Sequence, residues 1–151
     1  MPNLEVGALA PDFTAETDSG PVTLSKLRGK KVVLYFYPKD NTPGCTTEAC
    51  DFRDHHGKLV KKGVVVLGVS PDSVKSHQGF KTKHALPFAL VADPDKKIAN
   101  LYGVFREKNM YGKKVLGIVR STFVIGADGK LVAIHDKVKV AGHVAAILAA
   151  L

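Results

Sequence analysis

Cysteine is scarce in this 151-residue chain, which has only Cys45 and Cys50. Two cysteines are too few for a disulfide framework, and in a reducing compartment a close pair is more often catalytic or metal-binding. No apolar run approaches the roughly 20 residues of a membrane span. The N-terminus, from Met1 to Glu5, lacks the basic and then apolar regions of a secretory signal. We therefore expect a cytoplasmic protein without a membrane partner, and the sequence leaves open whether a transit peptide has been removed.

Internal repeats, low-complexity tracts and linkers are also missing. The length fits a single domain over residues 1–151 with a sizeable core. Acidic residues are the minority, since 22 lysines and arginines against 14 aspartates and glutamates give a net charge of +8. A basic surface for nucleic acid is one interpretation, but the lysines are scattered and no arginine-rich block alternates with aromatics. We expect the charge to serve solubility, and we expect no nucleic-acid partner.

The hydrophobic pattern indicates an α/β protein. Apolar runs over residues 31–37 and 63–70 predict strands that are buried on both faces. Between them, helical spacing of apolar residues predicts a helix from about Pro43 to Lys62, which Gly63 ends. Strand, helix and strand at this spacing form a βαβ unit with parallel strands. The buried face of the helix is expected to hold Cys45, Ala49, Phe52, His56, Leu59 and Val60.

The flanking segments add shorter elements. The turn signal at residues 18–21 predicts a β-hairpin within residues 11–24, followed by a helical turn at 25–29. The turn at residues 126–130 predicts a second hairpin. Further strands are predicted at 87–92, 116–120, 122–125 and 131–135, and further helices at 73–84, 93–102 and 142–151.

Cys45 stands where the central helix should begin. A helix N-terminus offers unpaired N–H groups and a partial positive charge, which favour a thiolate over a thiol. Pro43 suits the first turn because it has no N–H to leave unpaired, and Gly44 lets the backbone approach a small substrate. Cys45 therefore lies outside the carboxyl end of a buried strand, where open α/β sheets bind their ligands.

Cys50 follows five residues later, at a spacing that argues against a structural disulfide. Five residues of α-helix rise about 7.5 Å and turn about 140°, which puts the two Cα atoms roughly 8 to 9 Å apart. Bridged cysteines need Cα atoms closer than about 7 Å. If both residues belong to one helix, they form a disulfide only when it unwinds, which indicates a thiol pair that cycles.

The pattern Pro38-x-x-x-Thr42-x-x-Cys45 resembles the active-site signature of the peroxiredoxins. The second cysteine at position 50 resembles the subgroup called peroxiredoxin Q or bacterioferritin comigratory protein. The resemblance covers nearly the whole chain, including residues 10–13 and 120–125. It implies a thioredoxin-like fold, with a central mixed β-sheet flanked by helices and an N-terminal β-hairpin addition.

The resemblance also implies roles for five residues. Cys45 would be the peroxidatic nucleophile, which attacks a peroxide oxygen and becomes a sulfenic acid. Cys50 would be the resolving thiol, which converts the sulfenic acid into an intramolecular disulfide. Thr42 would hydrogen-bond the thiolate and the peroxide, and Pro38 would shape the loop and shield the thiol from water. Arg120, matched to the family's active-site arginine, would stabilise the thiolate and the charge on the transferred oxygens.

Glu48 has two interpretations, as a bidentate partner that orients Arg120 or as a favourable acid in the first helical turn. The resemblance implies reduction of hydrogen peroxide and organic hydroperoxides, with no metal, haem or flavin. A thioredoxin-type dithiol donor would regenerate the enzyme, with glutaredoxin as an alternative. Because the resolving cysteine belongs to the same chain, the chemistry does not require a dimer and we expect a monomer.

Three other functions are considered. A general disulfide oxidoreductase of this fold would use Cys-x-x-Cys, whereas four residues separate Cys45 from Cys50. A nucleic-acid or anion-binding module would depend on the net charge rather than on the thiols. A metal site formed by the cysteines with His55 and His56 is disfavoured, because consecutive helical residues point about 100° apart.

Overall fold

The apolar run at residues 31–37 forms an interior strand of a seven-stranded mixed sheet in the computed structural model of the protein. The structure describes residues 4–151, so Met1, Pro2 and Asn3, part of the N-terminal segment considered above, lie outside it. The strands are β1 (Thr14–Thr17), β2 (Gly20–Thr23), β3 (Lys31–Phe36), β4 (Val64–Ser70), β5 (Ala89–Ala92), β6 (Phe105–Met110), β7 (Lys113–Ile118), β8 (Ser121–Ile125) and β9 (Leu131–His135). The helices are α1 (Pro43–Lys61), α2 (Val74–His84), α3 (Lys97–Leu101) and α4 (His143–Ala150), and a short 3₁₀ helix spans Leu24–Leu27.

The sheet has the order β2-β1-β5-β4-β3-β8-β9. Strands β3, β4 and β5 are parallel, and α1 connects β3 to β4, so the predicted βαβ unit is confirmed. Strand β8 pairs with the other edge of β3 in the antiparallel direction, and β9 follows it through the predicted hairpin. The N-terminal hairpin of β1 and β2 extends the sheet at the far edge.

Each face of β3 contributes to a separate hydrophobic core, which explains its continuous apolar sequence. Val32, Leu34 and Phe36 face one core, whereas Val33 and Tyr35 face the other. The second core also receives the buried face of α1, whose residues include Cys45, Ala49, Phe52 and Leu59, and the buried residues Val144 and Ile147 of α4. The ring of Phe52 stacks on Tyr35 with centroids 4.5 Å apart, so α1 is fixed directly against β3.

Two sequence-based expectations were wrong in detail. Val60 is 54% exposed instead of buried, because Leu59 takes the buried position in the last turn of α1 and the next residue points about 100° away from it. The strand predicted at residues 116–120 is the second arm of a separate hairpin, β6–β7, which the sequence analysis missed. Its first arm reads Phe-Arg-Glu-Lys-Asn-Met and lacks apolar alternation. Tyr111 and Gly112 form its turn with positive φ angles of 53° and 79°.

Within residues 4–151, none of the helices is both long enough and apolar enough to span a lipid bilayer.

Candidate active site

Cys45 lies in the first turn of α1, beyond the carboxyl end of β3, as the sequence predicted. Thr42 precedes the helix with an extended backbone, Pro43 is its first residue, and the backbone N–H of Thr46 donates to the Thr42 carbonyl over 2.9 Å. The Cys45 side chain is 2% exposed. The thiol therefore lies at the positive end of a 19-residue helix in a site that excludes most water.

Arg120 lies directly against Cys45. Strand β8 begins one residue later, and its pairing with β3, which sets Ser121 opposite Phe36, brings residue 120 to the start of α1. The Arg120 Nη2 donates to Cys45 Sγ over 3.2 Å. A Cβ at Gly44 would lie 3.3 Å from the same nitrogen, so the absence of a side chain there keeps this approach open. The sheet register thus places the Arg120 guanidinium beside the Cys45 thiol, although the two residues are 75 positions apart in the sequence.

Glu48 holds the other arm of the guanidinium. Its Oε1 accepts from Arg120 Nη1 over 2.6 Å, and its side chain is fully buried. The pairing is not bidentate, because Nη2 is engaged by Cys45, and Glu48 Oε2 has no hydrogen-bond partner among the described residues. Burial raises the pKa of Glu48 to about 7 even though Arg120 pulls it down. The charges of Glu48 and Cys45 outweigh the effect of burial on Arg120 and raise the pKa of the guanidinium.

Thr42 and Pro38 lie on the loop that leads into α1. The Thr42 hydroxyl donates to the Lys39 carbonyl over 2.8 Å, so in this state it braces the loop and does not donate to the thiol. It also makes no side-chain capping hydrogen bond to the helix. Pro38 lines a cavity of about 550 Å³ together with Arg120, Ile118 and Val138. The missed hairpin β6–β7 supplies a further wall of this cavity through residues 106–109.

Cys50 lies on the second turn of the same continuous helix, half-buried beside α2. Its Sγ is 3.9 Å from Nδ1 of His84, the last residue of α2. Both cysteines are free thiols. The structure therefore confirms that Cys45 and Cys50 belong to one helix, which is the condition under which the sequence predicted that they cannot bond without unwinding.

A buried polar network holds the loop between β3 and α1, and the sequence analysis did not identify it. The Asp40 carboxylate accepts from Tyr37 Oη over 2.6 Å and from Ser76 Oγ over 2.8 Å, and it lies 2.8 Å from His77 Nδ1. His77 Nε2 donates to the Val91 carbonyl over 2.9 Å. Asp40 and His77 are 3% and 0% exposed, so one buried pair ties the loop to α2 and to the sheet.

Asp40 is held in its ionised form. Burial alone would raise the pKa of its carboxyl, but the hydrogen bonds from His77, Tyr37 and Ser76 outweigh it and lower the pKa below its usual value. The sequence carries no signal for this pairing, because Asp40 is an isolated polar residue in a loop and His77 lies 37 residues away in a helical pattern.

Among residues 4–151, the one group with metal-binding spacing is Asp40, Asp72 and His77. The potential ligand atoms of this group are engaged in hydrogen bonds within the protein. Asp72 Oδ2, for example, accepts from the Asp40 backbone N–H over 2.8 Å and from Ser70 Oγ over 2.6 Å. The cysteines and the His55–His56 pair do not form such a group in the described chain. The metal interpretation weighed from the sequence thus gains no support from the geometry.

Comparison with known proteins agrees with this geometry. The AhpC/TSA family matches residues 6–134. The chain is 56% identical over 147 residues to a putative peroxiredoxin bcp of Coxiella burnetii, covering 97% of both chains. It is 51% identical to peroxiredoxin Bcp of Bacillus subtilis, over 96% of this chain and 93% of that protein.

Solved structures extend the likeness to the fold. The bacterioferritin comigratory protein of Xanthomonas campestris, studied for its alkyl peroxide reduction activity, has a TM-score of 0.89 and 48% identity, over 97% of this chain and 94% of the other. Peroxidoxin BcpB of Mycobacterium tuberculosis has a TM-score of 0.84 and 31% identity, over 97% and 96%. These matches confirm the predicted thioredoxin-like α/β fold. The chain therefore belongs to the AhpC/TSA family, as a peroxiredoxin of the peroxiredoxin Q and bacterioferritin comigratory protein subgroup.

Proposed function

We propose that the protein is a thiol peroxidase that reduces hydrogen peroxide and organic hydroperoxides with Cys45 as its nucleophile. The observation that carries the proposal is the hydrogen bond from Arg120 Nη2 to Cys45 Sγ, 3.2 Å long, at the start of a helix. Peroxiredoxin relatives support the same activity. A guanidinium and a helix N-terminus both favour the thiolate, which is the reactive form of cysteine.

In the first step, the Cys45 thiolate attacks one peroxide oxygen and the O–O bond breaks. The sulfur becomes a sulfenic acid, and the departing oxygen leaves with the electron pair and takes a proton to give water or an alcohol. Arg120 faces the reacting sulfur, so its charge stabilises the oxygens as they become negative. Glu48 fixes the guanidinium through Nη1, while Pro38 and Thr42 shape and brace the loop beside the thiol.

In the second step, Cys50 attacks the Cys45 sulfenic sulfur, the S–O bond breaks and water leaves, giving an intramolecular disulfide. Both residues lie in α1, so the helix must unwind around residues 43–54 before the sulfurs meet. We expect amide exchange over these residues to be faster in the disulfide form than in the dithiol form. Equal exchange in the two forms would contradict this step.

In the third step, an external dithiol reduces the disulfide by thiol–disulfide exchange. Thioredoxin is the proposed donor, with glutaredoxin as the alternative, and the protein is proposed to act as a cytoplasmic monomer without a metal or cofactor. Because both cysteines belong to one chain, no second subunit is needed for the disulfide.

The test is steady-state peroxide consumption by the reduced protein with a thioredoxin system as the electron source. We expect turnover by the wild type, none by Cys45→Ser, and a strong loss with Cys50→Ser when thioredoxin is the only donor. Parallel runs with hydrogen peroxide and an alkyl hydroperoxide, and with a glutaredoxin system, identify the preferred substrate and donor. Consumption that survives Cys45→Ser would refute the proposal.

A further inference from the structure

Cys50 has a specific neighbour that the proposed cycle does not yet use. Its Sγ lies 3.9 Å from Nδ1 of His84, within the distance of a hydrogen bond to sulfur. Cys50 belongs to α1 and His84 ends α2, so packing of the two helices creates the contact. Within residues 4–151, no other histidine ring makes a hydrogen bond with either cysteine.

His84 is held in place from several sides. Arg53, three residues after Cys50 on α1, donates from Nη1 to the His84 carbonyl over 2.8 Å. The ring of Phe80 packs edge-on against the imidazole with centroids 5.1 Å apart. The chain turns away at Ala85, whose φ of 50° ends α2 directly after His84. The imidazole is therefore a fixed group beside the thiol and not a freely rotating surface side chain.

A resolving thiol must lose its proton before it attacks a sulfenic acid, because the thiolate is the nucleophile. A neutral imidazole at hydrogen-bond distance from a thiol is the usual arrangement for removing that proton. We propose that His84 is a further catalytic residue, the general base that deprotonates Cys50 for formation of the disulfide. This inference rests on the proposed function and concerns only its second step.

The step balances without another reactant. In the tautomer that carries its proton on Nε2, His84 Nδ1 accepts the proton of the Cys50 thiol and becomes an imidazolium. The start of α1 then unwinds, and the Cys50 thiolate attacks the Cys45 sulfenic sulfur. The S–O bond breaks, and the departing hydroxide receives one proton from the imidazolium through solvent to give water. His84 returns to its neutral form.

The experiment is a single turnover of the fully reduced protein with one equivalent of hydrogen peroxide, quenched at successive times. Sulfenic acid is trapped with a 1,3-diketone, free thiols are alkylated, and intact mass separates the species. The wild type is compared with His84→Gln, which keeps a polar side chain but no base, and with His84→Ala with and without added imidazole. His56→Gln is the matched control, since His56 lies on α1, the helix that carries Cys50, and its ring packs near Phe88.

We expect His84→Gln to form the sulfenic acid at the wild-type rate but to form the disulfide on the order of 10²-fold more slowly, a typical contribution of a general base. Imidazole should restore part of this rate in His84→Ala, and His56→Gln should behave as the wild type. Excess peroxide should drive His84→Gln further to the sulfinic acid, because its sulfenic acid lives longer.

Disulfide formation at the wild-type rate in His84→Gln would overturn the inference. So would an equal slowing of both steps, which would mark His84 as a packing residue, or a failure of imidazole to speed up His84→Ala. If the wild-type protein itself forms no Cys45-dependent sulfenic acid, the proposed function fails and the role of His84 fails with it. The two failures are therefore distinguishable in one data set.

Discussion

Replacing Arg120 with methionine removes the cation at the thiol while keeping a side chain of similar length. The Nη2–Sγ hydrogen bond of 3.2 Å is charge-assisted when Cys45 is a thiolate. Such hydrogen bonds contribute about 1.5 to 3 kcal/mol. At about 1.4 kcal/mol per factor of ten, the rate of Cys45 oxidation should fall roughly 10- to 150-fold.

Arg120 also pairs with Glu48 through Nη1, so effects on reactivity and on stability have to be separated. Arg120→Met leaves the fully buried Glu48 without its partner, so the single variant also destabilises the fold. In Arg120→Met/Glu48→Gln the unpaired carboxylate is removed, and we expect stability to recover while oxidation stays slow. Arg120→Lys keeps the charge, but one ammonium cannot reproduce the contacts that the guanidinium makes with both Cys45 and Glu48. Its oxidation rate should therefore lie between those of the wild type and Arg120→Met.

The assay is rapid-mixing oxidation of the reduced protein by hydrogen peroxide, with urea unfolding of each variant measured alongside. Arg28→Met is the control, because Arg28 is exposed after the 3₁₀ helix and does not line the cavity beside Arg120. The proposed role of Arg120 is refuted if Cys45 of Arg120→Met oxidises within twofold of the wild-type rate. It is also refuted if the double variant regains the rate together with the stability.

Three further predictions concern stability. Glu48→Gln should gain stability relative to the wild type as pH rises from about 5 to 8, by roughly 3 kcal/mol at most. The reason is that the raised pKa of Glu48 makes ionisation of its carboxyl unfavourable in the folded protein. Urea unfolding at both pH values checks this. Asp40→Asn should lower the free energy of unfolding most above pH 4, and its difference from the wild type should shrink in urea titrations at more acidic pH. The pKa of Asp40 is lowered in the fold, so its carboxyl stabilises the folded protein only while it is ionised. Gly68→Ala should destabilise the protein by about 1 to 3 kcal/mol, because its Cβ would lie 2.8 Å from the buried ring of Tyr35. In contrast, a Cβ at Gly57 on α1 meets no atom within 4 Å, so Gly57→Ala should stabilise the protein. Thermal melts of both variants check this pair.

The parts of the site that the sequence predicted are local along the chain. The apolar run of β3, the turn residues and the helical spacing together fix Cys45 at the start of α1. The same helix carries Cys50, so their separation follows from helix geometry alone. Arg120 was found only through the family resemblance, since its contact with Cys45 depends on how β8 pairs with β3.

The parts that the sequence missed depend on polar and backbone contacts that leave no apolar pattern in the chain. Asp40 and His77 form a buried pair across 37 residues, and neither residue type in its local context indicates burial. The Thr42 hydroxyl donates to the Lys39 carbonyl, a loop contact that the sequence did not indicate. Residues 105–110 form β6 although they lack apolar alternation, because pairing with β7 satisfies their backbone.

The most direct test of the account is the intact mass of the reduced protein after one equivalent of hydrogen peroxide, compared between the wild type, Cys45→Ser and Cys50→Ser. We predict that the wild type loses the mass of two hydrogens as Cys45 and Cys50 join within one chain. Cys50→Ser should instead gain the mass of oxygen on Cys45, and Cys45→Ser should remain unchanged. Oxidation of Cys45→Ser at the wild-type rate, or a wild type whose mass does not change, would contradict the account.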